Sequence, residues 1–109
     1  MSFKVIYSDT AKGDLRSIYE YIAFKLSEPL IASSQTNRIM EAVRSLDEMP
    51  TRYRLYDNEP WRSRGLRVVP IDNYLVFYTI DDESETVRII RIMYGGRDIK
   101  RQLNDNTEI

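Results

Sequence analysis

Arg67, Arg91, Tyr94 and Arg97 are the residues whose types and placing could do chemistry, because the chain contains no cysteine and no histidine. Those absences remove thiolate nucleophiles, disulfides, the usual zinc ligands and imidazole acid–base catalysis, leaving Tyr, Arg, Lys, Asp and Glu. Arginines can stabilise a pentavalent phosphate, and a phenol can move a proton if its pKa is shifted from about 10. All four residues sit at strand ends or just past them, where a rigid support can bring functional groups together. If they meet in space they describe a metal-independent endoribonuclease. If they do not catalyse, they make a target-binding surface. Arg91 also has a structural alternative, as an internal anchor paired with an acid such as Asp98.

Other candidates are weaker. Gly95-Gly96 lacks the surroundings of a phosphate loop and fits a sharp turn needing positive φ. Asp81-Asp82-Glu83 lacks the alternation of a calcium loop and fits a solvated hairpin turn. Trp61, among arginines, could stack a base, enter a partner's pocket or pack on the sheet. No cofactor and no metal are expected.

The elements that must position these residues follow from hydrophobic period. Residues 3–7 are β-branched and aromatic, and Ser8-Asp9-Thr10 offers oxygens to cap a helix. Ala11, Leu15, Ile18, Tyr19, Ile22, Ala23 and Leu26 then form one apolar stripe at helical spacing, with Asp9 and Asp14 toward the helix's positive end. Ser27-Glu28-Pro29 stops this helix and starts a second, whose stripe Ala32, Thr36, Ile39, Val43 and Leu46 runs to about Glu48, ended by Met49-Pro50. Residues 51–64 show no sustained period and are expected to be a long connection, functional or mobile. Strands are expected at about 65–71, 74–80 and 86–94, with Asp72-Asn73 and Asp81-Asp82-Glu83-Ser84 as their turns. A short helix over 97–103 and a polar tail from about 104 to 109 close the chain.

The order strand, helix, helix, three strands predicts one α+β domain over residues 1–109. Its parts are an N-terminal strand, an antiparallel two-helix hairpin, an antiparallel three-stranded meander and a short C-terminal helix. Both faces of the strands are apolar: Val76, Tyr78 and Ile80 oppose Leu75, Phe77 and Thr79, while Val87, Ile89 and Met93 oppose Ile90, Ile92 and Tyr94. The helix pair covers one face only. The other is expected to be available to a partner, unless residues 51–64 and the C-terminal segment fold over it.

Charge narrows the function class further. Net charge is −1, yet residues 51–71 concentrate Arg52, Arg54, Arg62, Arg64 and Arg67. Arginine supplies most of the cations, which favours bidentate contact with carboxylates or phosphates. A pI near 5.5 argues against strong non-specific nucleic-acid binding. The N-terminus lacks a signal-peptide core and no apolar run could cross a bilayer, so a soluble cytoplasmic protein without membrane contact is expected.

Taken together, Tyr7-Ser8, Ala11, Asp14-Leu15, Ile18-Tyr19, Tyr21-Ile22, Pro29, Pro50, Gly65-Leu66-Arg67, Asn73 to Tyr78 and Arg91-Ile92-Met93-Tyr94-Gly95-Gly96-Arg97-Asp98 resemble the RelE/ParE superfamily of toxins from type II toxin–antitoxin systems. The resemblance spans about residues 3–103. It implies the RelE-like two-layer fold, a cognate antitoxin as partner, and DNA contact only through that antitoxin. The superfamily's ribosome-dependent mRNA interferases carry a catalytic arginine where Leu75 stands here. The stretches Tyr74 to Tyr78 and Tyr94 to Asp98 are more similar to the ParE-like branch, whose members act on DNA gyrase and are not enzymes; Tyr94 stands where that branch often has histidine. The resemblance therefore implies a gyrase-directed toxin with Arg67, Tyr94 and Arg97 on its active surface. The alternatives are an mRNA interferase acting at the ribosome through Arg67, Arg91, Tyr94 and Arg97, and a degenerate member that only pairs with its antitoxin.

Overall fold

The computed structural model describes residues 2–96, 98–105 and 107. The chain runs β1 (Lys4–Tyr7), α1 (Asp9–Glu20), α2 (Pro29–Arg44), β2 (Arg67–Ile71), β3 (Tyr74–Asp81), β4 (Thr86–Tyr94) and α3 (Ile99–Asn104). Strand order is β1-β4-β3-β2, with the last three strands antiparallel as expected and β1 added parallel to β4. The helical hairpin supplies the long crossover that a parallel pair needs.

Ser8 organises the start of that crossover. Its Oγ accepts from the Ala11 amide at 3.0 Å, capping α1, and donates to the Ile90 carbonyl at 3.0 Å. β1 stops there, at the level of Ile89, so the β4 edge beyond it has no strand beside it. Asp14, on the next turn of α1, fills part of the gap by accepting the Ile92 amide at 3.0 Å.

α1 ends earlier than the stripe suggested. At Tyr21–Lys25 the helix widens, the Leu26 amide reaching the Tyr21 carbonyl at 3.0 Å, and Ser27 turns the chain with φ 56°. A widened turn shifts later side chains around the axis. Ile22 and Ala23 stay buried, whereas Leu26, expected in the stripe, is half exposed. α2 likewise ends at Arg44 rather than near Glu48, and continues as a tight turn over Ser45–Asp47.

A bulge corrects the expected alternation of β4. Phe77 pairs with Arg91 but Tyr78 pairs with Ile89, so Ile90 is an extra residue. Beyond it the faces exchange. Val87, Ile89 and Ile92 join Val76, Tyr78, Ile39, Val43 and Leu46 under the helices, while Ile90 and Met93 turn to the other side.

That other side is not free, which overturns the expectation that it is open to a partner. Trp61 and Leu66 from the 51–66 connection and Leu103 from α3 close over Val68, Phe77, Ile90 and Met93. Trp61 is 5% exposed, so it packs on the sheet and cannot stack a base. The connection is also tied as a strand: the Tyr56 amide donates to the Leu66 carbonyl at 2.7 Å and the Val68 amide to the Arg54 carbonyl at 3.1 Å. The outer edge of β2 is thereby covered, and Pro70 has no amide to offer.

Candidate functional site

The register separates two of the four candidates. Arg67 pairs across to Tyr78 and Tyr94 to Tyr74, four positions apart on β3, or about 13 Å along the strand. Arg67 turns toward the connection, donating to the Tyr53 carbonyl at 2.7 Å and the Thr51 carbonyl at 3.4 Å. Arg91 stands at the uncovered β4 edge, with Nε 2.8 Å and a terminal nitrogen 3.2 Å from the Asp14 carboxylate. Its other terminal nitrogen donates to the Gln102 and Asp105 carbonyls at 2.8 and 3.0 Å and to Thr107 Oγ1 at 3.0 Å. The anchor expected for Arg91 therefore exists, but its acid is Asp14; Asp98 instead caps α3 by accepting the Arg101 amide at 3.3 Å. Arg97 lies outside the described residues.

Tyr94 is the candidate that faces solvent, at 46% exposure, on the last position of β4. Its ring meets Tyr74 edge-on, centroids 5.8 Å apart and planes at 70°. The Gly95-Gly96 turn holds it there for a reason other than the positive φ expected, since among the glycines Gly65 is the one with positive φ. A Cβ on Gly96 would lie 2.5 Å from Tyr94 Cε2, and one on Gly95 would lie 3.3 Å from the Asn73 carbonyl oxygen. The glycines let the chain fold tightly against the ring and the Asp72-Asn73 turn. Burial, then the neighbouring Tyr94 and Tyr21 phenols, raises the pKa of Tyr74 above that of an ordinary phenol.

These tyrosines rim a groove of about 660 Å³ between the end of α1, the start of α2 and the ends of β3 and β4. Its walls are Ile18, Ile22, Leu26, Ile31 and Ile92, with Tyr21, Tyr74 and Tyr94 at the mouth. Phe24 and Leu30, 73% and 85% exposed, extend the apolar surface outward on the hairpin tip. Exposed apolar area of this kind marks a surface that another chain covers. Among the described residues no three carboxylates converge as a metal site.

Residues 5–99 match the protein family described as the ParE toxin of type II toxin–antitoxin systems, parDE. The chain belongs to the ParE toxin family. Solved structures agree on the fold of this ParE-family toxin. The chromosomal ParDE system of P. aeruginosa superimposes with TM-score 0.70 at 20% identity, over 85% of this chain and 96% of that one. The RelBE2 toxin–antitoxin complex of Mycobacterium tuberculosis gives 0.63 at 24% identity, over 86% and 99%. An arginine-to-alanine mutant of E. coli toxin RelE in the free state gives 0.62 at 14%, over 88% and 86%. No curated relative matches the chain.

The groove and Asp14 are what sequence reasoning missed in this ParE-family chain. Asp14 does more than meet the helix dipole: an acid on the stripe side of a helix signals a cation on the element it packs against, here Arg91 of β4. The groove had a signal in Tyr21, Phe24, Leu26, Leu30 and Ile31, too many large apolar residues for one hairpin to bury.

Proposed function

We propose that this ParE-family toxin arrests growth by binding a protein target, DNA gyrase, without catalysing a reaction, and that a cognate antitoxin neutralises it by covering the hairpin-end groove. One observation carries the non-enzymatic half. The guanidinium groups of Arg67 and Arg91 are committed to different segments, Arg67 to the Tyr53 carbonyl and Arg91 to Asp14 and the end of α3, so they are not poised to clamp one phosphate. Leu75, where ribosome-dependent relatives carry an arginine, packs against the apolar cluster of the second face. A pI near 5.5 also lacks the basic character that binding to ribosomal RNA favours. Tyr94, on the last position of β4, and Arg97, which follows the turn in sequence, are assigned to partner contact, and Arg67, about 13 Å along the sheet, to a separate part of that surface. The exposed apolar tip beside Tyr94 supports an antitoxin that masks this surface by burying an apolar segment.

The test is induced expression in a bacterium lacking the antitoxin, with pulse-labelling of new DNA and new protein over the first minutes. DNA labelling is expected to fall first, and purified gyrase to be retained on the immobilised toxin. An immediate fall in protein labelling would establish the mRNA interferase reading and sink the gyrase one.

A further inference from the structure

The hairpin-end groove has a chemical bias beyond being apolar. Among the described residues that line it there is no lysine or arginine. Tyr74 and Tyr94 stand nearly perpendicular at 5.8 Å, forming two walls of a corner, and Tyr21 lines the same space. The faces of aromatic rings carry negative potential, and a corner of such rings is the arrangement that receives an ammonium or guanidinium group. The Asp14 carboxylate lies in the lining as well, its side chain 17% exposed and already paired with Arg91 at 2.8 Å, so the attraction for a cation comes chiefly from the rings. The Tyr94 ring lies over Gly96 and against Tyr74, which narrows its freedom before a ligand seats against it.

We propose that the segment which fills this groove is apolar and carries one cation, an arginine or lysine seated in the corner of Tyr21, Tyr74 and Tyr94. The proposal rests on the reading of the groove as the antitoxin's docking surface and specifies what that antitoxin must bring. An acidic side chain at the same point would meet the electron-rich corner of Tyr74 and Tyr94. Apolar side chains on either side of the cation would meet Ile22, Leu26 and Ile31.

The probe is N-acetyl-arginine N-methylamide, titrated into the purified chain while tyrosine ring resonances are followed by NMR, with the norleucine and glutamate analogues as controls. The arginine compound is expected to shift the Tyr21, Tyr74 and Tyr94 rings saturably. Tyr94→Leu, at a position 46% exposed, is expected to weaken the binding at least about threefold while leaving the urea unfolding midpoint near that of the parent. Absence of saturable shifts, equal shifts from the norleucine analogue, or unchanged binding to Tyr94→Leu would each overturn the proposal. This outcome is separable from the antitoxin reading: an antitoxin captured through the groove by apolar contacts alone would leave that reading standing and the cation site refuted.

Discussion

The second sheet face and the hairpin-end groove are both apolar, both aromatic and both built on β4, yet one is closed and the other open. The closed face is covered by segments with their own polar ties: the 54–56 stretch pairs with β2, and Arg91 holds the end of α3. Among the described residues the groove has no such cover. Its neighbours Phe24 and Leu30 sit on a widened turn and a proline-started helix that lead away from it. Alternation along a strand shows that a face needs covering but does not say whether the cover comes from the same chain. What decides is whether a nearby segment can satisfy its own backbone while lying on that face. Residues 54–66 and 99–105 can, through β2 and Arg91.

The largest effect is therefore expected at Arg91, where the closed face can be opened. Arg91→Met removes the carbonyl ties of α3 and leaves the Asp14 carboxylate, 17% exposed, without its cation. Breaking a pair this buried costs about 3 kcal/mol, measured as a fall in unfolding free energy in urea. α3 is six residues long and has little stability of its own, so Trp61 fluorescence and dye binding should report exposure of the second face below the unfolding transition. Asp14→Asn, which keeps the shape and an acceptor for the Ile92 amide, should lose less. Stability unchanged in Arg91→Met would show that α3 is held by Leu103 and Ile99 alone.

A smaller effect concerns where the cover begins. The Tyr78 hydroxyl is buried under the helices and donates to the Pro50 carbonyl at 2.6 Å, at the start of the connection. Burial pushes its pKa up to about 12, with Arg67 and Arg52 pulling the other way. In the unfolded chain the phenol ionises near 10, so between about pH 10 and 12 the unfolded state binds fewer protons and stability falls as pH rises. This contribution is fully present below pH 10 and gone above 12, and is on the order of 3 kcal/mol. Urea unfolding at pH 9 and 11.5 should show the slope, and Tyr78→Phe should flatten it. Tyr7 and Tyr74, also raised by burial, act in the same sense and will leave a residue of the slope in the variant.

Element order and the meander were legible because periods of two and 3.6 and the Ser8, Pro29, Asp72 and Asp81 signals all agreed. The bulge at Ile90 was not, since nothing local distinguishes an inserted residue in a run of Ile, Arg and Met. That one residue undid the face assignment of Ile92 and Met93 and with it the expected surroundings of Arg91. Trp61 and Leu103 were visible as apolar residues, but their destination on the second face depends on long-range pairing with β2 and on Arg91. Of the candidate residues, Tyr94 does stand at the end of its strand, as its place in the sequence suggests. Asp14 went unrecognised because its partner is far along the chain and no periodicity connects them.

The smallest effect on stability should come from the open region, and there it separates the two surfaces most sharply. Phe24 and Leu30 are 73% and 85% exposed, so the isolated chain gains little from them. Phe24→Ser with Leu30→Ser is expected to change unfolding free energy by no more than about 0.5 kcal/mol, in contrast to any truncation of Trp61 or Leu103. If the groove and tip are an antitoxin's surface, the same double variant should still arrest growth on induction but escape rescue by the co-expressed antitoxin, because the apolar area that the antitoxin buries is gone. Rescue intact would move the antitoxin elsewhere. Loss of arrest with rescue irrelevant would instead make the tip part of the target contact, and the groove and the tip would then belong to different partners.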